Sequence, residues 1–221
     1  MKALLRQAAL IVIAGVALTA AARAAEMNHQ HGFHGAEHWA KVFDDPGRDA
    51  WQKPHEVIQA LQLRPDAVVA DIGAGTGYFS MRLAHMVPQG KVYAVDAEPD
   101  MVAHLKRRAE EAGLANVRAV QAAGDDPRLS EKVDVVLFVD VYHHIGNRVR
   151  YFSRLRESLK PGGRLAIVDF RPDSPMGPAK SGRVAPDAVK RELAQAGYTP
   201  AAEHDFLPHQ YYLVFRAGEK K

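Results

Sequence analysis

Short apolar runs alternate with amphipathic stretches along most of this 221-residue chain. The apolar runs lie at residues 67–72, 91–95, 117–121, 134–139 and 163–169. Stretches with helical periodicity lie at residues 55–63, 76–87, 99–113, 148–159 and 184–196. Strands that alternate with helices are typical of βαβ units, so the pattern predicts a mostly parallel sheet with helices on both faces.

The C-terminal part of the pattern differs, because two strand-like segments follow each other directly. They are YTPAAEHDFL at residues 198–207 and HQYYLVFRA at residues 209–217, with only Pro208 between them. No helix fits into that gap, and short connections join antiparallel strands. We therefore predict an α/β, three-layer sandwich whose seven-stranded sheet is mostly parallel and ends in an antiparallel C-terminal hairpin.

The first 24 residues have the three parts of an export signal. Lys2 and Arg6 give a charged start, Ala8–Ala20 an apolar stretch and Ala22-Arg23-Ala24 a cleavage site of the A-x-A type. The apolar stretch is shorter than the ~20 residues that a membrane-spanning helix needs. We predict a signal peptide at residues 1–24, a periplasmic or secreted mature chain and no stable membrane span after cleavage. The alternative is an uncleaved leader, which would leave the domain cytoplasmic or membrane-anchored.

Residues 25–54 form a polar, histidine-rich extension that contains Trp39, Phe43 and Trp51. We predict that this extension is helical and covers the ligand cleft as a lid, with simple packing onto the domain as the alternative. The main domain is expected at residues 55–217. Histidine-rich starts without a nearby cysteine are commonly just solvated, so we predict no metal site at the candidate ligands His29, His31, His34 and His38.

Charge and cysteine content exclude some classes of function. The excess of 29 lysines and arginines over 26 aspartates and glutamates comes from Lys2, Arg6 and Arg23, so the rest of the chain is near neutral. Because binding a phosphate backbone calls for a basic face, we expect no nucleic-acid partner. The chain has no cysteine, which excludes disulfides, thiolate catalysis and cysteine-bound zinc.

The first predicted strand ends in a glycine-rich turn, VVADIGAGTGYF at residues 68–79. Gly73, Gly75 and Gly77 allow a tight turn and let a ligand approach the backbone without meeting a Cβ atom. Ligands of open parallel sheets bind at such strand ends. The second strand ends at Asp96, whose carboxylate can accept hydrogen bonds from both hydroxyls of a ribose. Capping of the next helix is the structural alternative for Asp96.

The glycine turn does not fit a dinucleotide. The pattern G-x-G-x-x-G requires a third glycine at position 78, which is Tyr78 in this chain. Asp71 also precedes the turn, where its charge would repel a diphosphate but attract an ammonium or sulfonium group. A cationic nucleoside ligand is therefore favoured, and a NAD-type oxidoreductase is kept as an alternative.

Four segments resemble the motifs of class I S-adenosylmethionine-dependent methyltransferases, in the order that the family has them. VVADIGAGTGYFS is similar to the first motif, VYAVDAEPDM to the ribose-binding second strand, VDVVLFVDVYHHI to the fourth strand and LKPGGRLAIVDF to the turn into the fifth. The resemblance extends from about Glu56 to Phe215. It implies a Rossmann-like fold, S-adenosyl-L-methionine as cofactor and transfer of a methyl group to an acceptor. We expect a small-molecule acceptor, and a monomer or weak homodimer.

The resemblance also implies roles for single residues. The glycine backbone would pass close to the methionine part of the cofactor, with Asp71 near its ammonium group. Asp96 would hold the ribose, and Ala97 would pack beside the adenine. Asp125 or its neighbour Asp126 would meet the adenine amino group, and we favour Asp125. The implied cofactor-binding set is Asp71, Gly73, Ala74, Gly75, Gly77, Asp96, Ala97, Asp125 and Asp140, the last at the methyl-donor pocket.

Tyr142, His143 and His144 follow the fourth strand and are the candidate catalytic residues. A hydroxyl or amine acceptor must lose a proton, and histidine is a suitable base near neutral pH. A structural role for the histidine pair, with one ring bonded to the backbone, stays open. A non-enzymatic function also stays open: an exported nucleoside-binding protein that has kept the fold and lost catalysis.

Overall fold

The computed structural model describes residues 36–218. The helices are α1 (Ala36–Phe43), α2 (Arg48–Gln52), α3 (Pro54–Ala60), α4 (Tyr78–Met86), α5 (Pro99–Glu111), α6 (Arg148–Leu155) and α7 (Pro186–Gln195). The strands are β1 (Val68–Ile72), β2 (Lys91–Asp96), β3 (Val117–Gln121), β4 (Val133–Val139), β5 (Leu159–Phe170), β6 (Tyr198–His204) and β7 (Gln210–Ala217). Short 3-10 turns lie at Tyr142–His144, Arg156–Ser158 and Lys180–Gly182.

All seven strands belong to one sheet, in the order β3-β2-β1-β4-β5-β7-β6. Strands β1 to β5 pair in parallel, while β7 runs antiparallel between β5 and β6. The predicted sheet, mostly parallel with an antiparallel C-terminal hairpin, is therefore confirmed. The strand order reverses between β1 and β4, so the carboxyl ends of these two strands flank a crevice of the kind that binds ligands in such sheets.

Buried side chains cover both faces of the sheet. All five residues of β1 are buried, as expected for a parallel strand with helices on both faces. Val69 packs in one apolar cluster with Leu105 of α5, whereas Val68 packs in a second cluster with Phe152 of α6 and Leu193 of α7. The side chains of β1 thus alternate between the two helical layers of the sandwich.

Strand β5 differs from its prediction because it begins at Leu159 and not at residue 163. Val133 of β4 pairs with Leu159, but Val135 pairs with Arg164, so residues 160–163 form a bulge. This bulge contains a proline, which cannot donate a ladder hydrogen bond, and Gly162, which has a φ angle of 75°.

Some predictions concern residues outside 36–218. The signal peptide at residues 1–24 lies there, as do His29, His31 and His34, at which we predict no metal site; both statements stay predictions. None of the helices from Ala36 onwards that the structure describes has the length and apolarity needed to cross a bilayer. Within the part of the chain that the structure describes, no group of three or more metal-ligating side chains is placed to hold an ion.

Candidate active site

The glycine turn lies at the carboxyl end of β1, in the crevice beside β4. Gly73 and Gly75 have φ angles of 74° and 54°, a left-handed conformation that suits glycine. A Cβ atom at Gly73 would lie 2.9 Å from Cγ1 of Val141, and closer still to its Cγ2. The turn and the segment after β4 therefore pack against each other at a position where no side chain has room.

Asp96 ends β2 and binds the glycine turn from the side. Its Oδ2 accepts a hydrogen bond from the backbone N–H of Gly75 at 2.8 Å, and its Oδ1 accepts one from the N–H of Glu98 at 3.0 Å. Burial raises the pKa of Asp96, and these backbone donors oppose the shift. Asp96 thus stands at the turn where a ribose-binding residue is predicted, and Ala97 follows it in an exposed position.

Asp71, the fourth residue of β1, is buried beside the turn. Its Oδ2 accepts a hydrogen bond from the Ser80 hydroxyl at 2.6 Å. Burial raises the pKa of Asp71 to about 6; the Ser80 hydrogen bond opposes this shift and the charge of Asp96 adds to it. A positively charged ligand at the turn would favour the ionised form of Asp71, because it supplies the counter-charge that burial removes.

Asp140 follows β4 and has a φ angle of 60°, which is strained for a residue other than glycine. Two amides bind its carboxylate: Gln210 at the start of β7 donates to Oδ1, and Gln52 at the end of α2 donates to Oδ2 at 3.2 Å. The two glutamines are fully buried and hydrogen-bonded to each other at 2.9 Å. The Arg48 guanidinium lies 3.8 Å from the same carboxylate. Segments far apart in the chain therefore converge on Asp140.

The pKa of Asp140 is raised to about 7 by burial and, second, by the charge of Asp169, while Arg48 lowers it. The unfolded chain has an ordinary carboxyl pKa near 3.8, so the folded state binds this proton more tightly. The resulting stabilisation is complete below that unfolded value and is lost as the pH rises through about 7.

We expect Asp140→Asn to remove this pH dependence. Urea denaturation of both proteins measures the free energy of unfolding of the variant minus that of the wild type. This difference should increase by about 1–3 kcal/mol from about pH 5 to about pH 8. Asp71 also titrates in this range but is present in both proteins, so its effect cancels in the difference. A difference that does not change with pH would contradict the raised pKa of Asp140.

Residues 36–53, which include α1 and α2, form a cap over the glycine turn. The Phe43 ring lies 3.5 Å from the place of a Cβ atom on Gly75. The Asp44 carboxylate accepts a hydrogen bond from the Thr76 hydroxyl at 3.2 Å and pairs with Arg108 of α5 at 2.8 Å. The cap therefore contacts the turn itself and the helix behind it.

Two aromatic contacts extend the cap. Trp39 stacks on Phe43 with ring centroids 5.3 Å apart, and Trp51 contacts Phe170 at the end of β5 with centroids 5.8 Å apart. Of the three aromatic residues predicted to form a lid, Phe43 thus contacts the turn and Trp51 the end of β5, while Trp39 stacks on Phe43.

Tyr78, the first residue of α4, also contacts the cap. Its hydroxyl donates a hydrogen bond to Asp49, and its ring lies between the guanidinium groups of Arg48 and Arg82, at 4.0 and 4.1 Å from the ring centroid. The position where a dinucleotide pattern needs glycine is therefore occupied by a residue that attaches the cap.

The three candidate catalytic residues have different surroundings in the structure. Tyr142 is fully buried in the second apolar cluster, where its hydroxyl donates to Glu192 at 2.7 Å, so it does not reach the crevice. The ring of His143 is bonded to Asp169 at the end of β5. His144 is exposed, with its ring centroid 4.1 Å from that of His143.

The two candidate adenine-binding acids follow β3, and both have protein partners. The Asp125 carboxylate accepts a hydrogen bond from Arg154 of α6 at 2.6 Å and lies 3.6 Å from Arg150. Asp126 accepts a hydrogen bond from the backbone N–H of Arg128 at 2.8 Å. A role for either acid at the adenine stays a prediction.

Three residues of the site were missed by the sequence reasoning: Arg48, Asp169 and Gln210. Asp169 had a signal, because an acid also stands at or next to the ends of β1, β2 and β4. Arg48 and Gln210 had none, since they lie outside every recognisable motif and reach Asp140 only through the tertiary fold.

The crevice suits a nucleoside with a positive charge. The carboxylate of Asp96, the buried acid Asp71 and the partly buried acid Asp140 lie around the glycine turn. A diphosphate would bring two further negative charges to these acids, whereas a cation would compensate them. The residues present therefore fit an adenosine derivative whose cationic group lies beside the turn.

Comparison with known proteins agrees with this arrangement. Residues 63–207 match the profile of a family described as methyltransferase domain. A trans-aconitate 2-methyltransferase of Deinococcus radiodurans is 36% identical over 121 residues, 54% of this chain and 45% of that protein. A ubiquinone biosynthesis O-methyltransferase of Cereibacter sphaeroides is 36% identical over 101 residues, 43% of this chain and 38% of that protein. The chain thus spans less than half the length of these two relatives.

A crystal structure shows the same fold. The SAM-dependent methyltransferase from Aquifex aeolicus superimposes with a TM-score of 0.75 and 24% sequence identity. The superposition covers 80% of this chain and 96% of that one.

Proposed function

This chain belongs to the methyltransferase domain family, which implies S-adenosylmethionine as cofactor, and we propose that it transfers a methyl group from that donor to a small-molecule acceptor. The observation that carries the proposal is the glycine turn surrounded by Asp71, Asp96 and Asp140 at the strand ends. The two relatives named above differ in their acceptors, because one is named for trans-aconitate and the other for ubiquinone biosynthesis. Similarity to them therefore does not identify the acceptor of this chain.

The residues of the crevice have separate tasks in this proposal. Asp96 binds the ribose hydroxyls, and the glycine backbone of the turn passes close to the amino-acid end of the donor. Asp71 and Asp140 favour positive charge at the turn. When bound, S-adenosylmethionine supplies an activated methyl group on a positively charged sulfur, which departs as a neutral thioether.

The cap supplies alignment and a dry site. Phe43 lies on the turn and Trp51 at the end of β5, so the cap spans the donor side and the neighbouring part of the crevice. Methyl transfer needs the acceptor atom in line with the methyl group and water kept out, which positioning of this kind provides.

Calorimetric titration of the purified protein with S-adenosylhomocysteine and with NAD tests this function. We expect saturable binding of S-adenosylhomocysteine at one site and no heat with NAD, because the acids at the turn repel a diphosphate. Preference for NAD would contradict the proposal. Saturable binding of S-adenosylhomocysteine without methyl transfer in a broad acceptor screen would favour a binding protein that lacks catalysis.

A further inference from the structure

Asp169 and His143 form a buried pair at the ends of β5 and β4. Asp169 is the last residue but one of β5, and His143 lies in the 3-10 turn after β4. Nδ1 of His143 lies 3.0 and 2.9 Å from the two carboxylate oxygens of Asp169. The side chains are only 7% and 2% exposed, so water does not compete for this contact.

Backbone groups hold the Asp169 carboxylate in place. Its Oδ1 accepts a hydrogen bond from the N–H of Phe170 at 2.7 Å, and its Oδ2 accepts one from the backbone N–H of His143 at 3.2 Å. The carboxylate therefore binds both the main chain and the ring of the same histidine. Since a carboxylate only accepts hydrogen bonds, Nδ1 must carry the hydrogen.

The hydrogen on Nδ1 decides which nitrogen of His143 is basic. A neutral imidazole with a hydrogen on Nδ1 has its lone pair on Nε2. Among residues 36–218, no hydrogen-bond partner reaches Nε2 of His143. The ring is thus oriented by one nitrogen while the other keeps its lone pair.

This pair lies next to the donor side of the crevice. The glycine turn follows β1, Asp140 follows β4 and Asp169 ends β5, and these three strands are neighbours in the sheet. The backbone N–H of Asp140 bonds to the carbonyl of Val168, the residue before Asp169, at 2.9 Å. The carboxyl ends of β1, β4 and β5 therefore carry, in that order, the glycine turn, Asp140 and the pair of His143 and Asp169.

We propose that Asp169 is a positioning residue that fixes His143 with its hydrogen on Nδ1, so that Nε2 takes the proton of the methyl acceptor. This inference rests on the proposed function and narrows its substrate to acceptors with a proton to lose, namely hydroxyl or amine groups. In the step, the O–H or N–H bond of the acceptor breaks and an Nε2–H bond forms. The electron pair of the broken bond stays on the acceptor atom, where it forms the bond to the methyl carbon as the bond from that carbon to the donor sulfur breaks. The imidazolium then passes its proton to water.

Charge around the pair agrees with this substrate class. The titratable groups shown near His143 are Asp169, Asp140 and His144, and Tyr211 lies across the strand pair from Asp169. The carboxyl groups of Asp169 and Asp140 disfavour a carboxylate acceptor, because like charges repel each other. A carboxylate is also already ionised and needs no base. A neutral hydroxyl or amine group is not repelled by these acids and has a proton for His143 to remove.

Nitrogen-15 NMR of the protein labelled at histidine, saturated with S-adenosylhomocysteine, tests the orientation. The signals of His143 are assigned by their loss in His143→Gln, with the exposed His85→Gln as a matched control. We expect a protonated Nδ1 and an unprotonated Nε2 in the wild type, and a mixture of tautomers in Asp169→Asn. A protonated Nε2 in the wild type, or an unchanged tautomer in the variant, would overturn the inference.

Methyl transfer to a matched pair of probes, catechol and benzoate, tests the proton transfer. We expect the wild type to methylate catechol and leave benzoate unchanged. His143→Gln should lower kcat by about 100-fold or more, and Asp169→Asn by about 10- to 100-fold with a shifted acidic limb of the pH profile. The double variant should be no slower than His143→Gln, because both changes remove the same function.

Binding of S-adenosylhomocysteine distinguishes failure of the proposed function from failure of the role assigned to His143 and Asp169. If the wild type does not bind it, the proposed function fails. If all variants bind it as the wild type does, they are folded, and benzoate methylation or an unmoved pH profile in Asp169→Asn overturns only the role of the pair.

Discussion

Replacing Gly73 by alanine is expected to lower the free energy of unfolding by about 2–5 kcal/mol. The left-handed φ of 74° strains any side chain, and the new Cβ would overlap both methyl groups of Val141. The overlap adds to the strain because Val141 packs against the second apolar cluster and would have to shift. Urea denaturation of both proteins measures the loss.

Gly113→Ala is the matched control for this substitution. Gly113 has a similar φ of 67°, but a Cβ there would meet nothing within 4 Å. It should therefore cost only the backbone strain, about 1 kcal/mol. The second change Val141→Ala should restore part of the stability lost in Gly73→Ala and none of that lost in Gly113→Ala. Equal losses at the two glycines would show that Val141 is not the cause.

Asp96→Asn is expected to weaken binding of S-adenosylhomocysteine by about 10- to 100-fold, the effect of losing charge-assisted hydrogen bonds. The carboxylate is expected to accept both ribose hydroxyls, while an asparagine has one acceptor oxygen and an amide that only donates. The variant also disturbs one of the two backbone hydrogen bonds that Asp96 accepts, from Gly75 in the turn and from Glu98 at the start of α5. Calorimetric titration gives the affinity directly.

Glu110→Gln serves as the control for Asp96→Asn. It removes one negative charge from an exposed position of α5, so a general change in electrostatic attraction would appear in both variants. We expect the affinity of Glu110→Gln to match that of the wild type. An Asp96→Asn protein that melts like the wild type and binds S-adenosylhomocysteine equally well would remove Asp96 from the donor site.

Local pattern was sufficient to predict the sheet and its glycine turn. Buried parallel strands have apolar sequences, and the two C-terminal strands lie too close in sequence for a crossover helix. The parallel strands and the hairpin can therefore each be recognised from consecutive residues. The bulge of β5 was not predicted, because its start depends on pairing with Val133 of β4. Register across strands is a tertiary property that periodicity within one strand does not contain.

The candidate site was only partly predictable for the same reason. Gly73, Gly75 and Asp96 belong to contiguous motifs, and the structure places them together. Tyr142 belongs to a motif too, but its side chain turns into the apolar cluster. The partners of Asp140 come from α2 and β7, which no motif connects, and only the folded chain shows that Gln52 and Gln210 meet.

The place of β7 in the sheet sets the order in which the crevice is completed. This strand follows the other six in the chain, yet it is inserted between β5 and β6 and brings Gln210 to Asp140. On the ribosome, the glycine turn and Asp96 emerge well before residues 210–217, which belong to the same sheet. Because domains generally fold as units, this sheet is complete only after β7 has been made. A nascent chain that already contains the glycine turn therefore still lacks Gln210, one of the amide partners of Asp140. The hydrogen-bonded surroundings of Asp140 are complete only when translation has delivered β7.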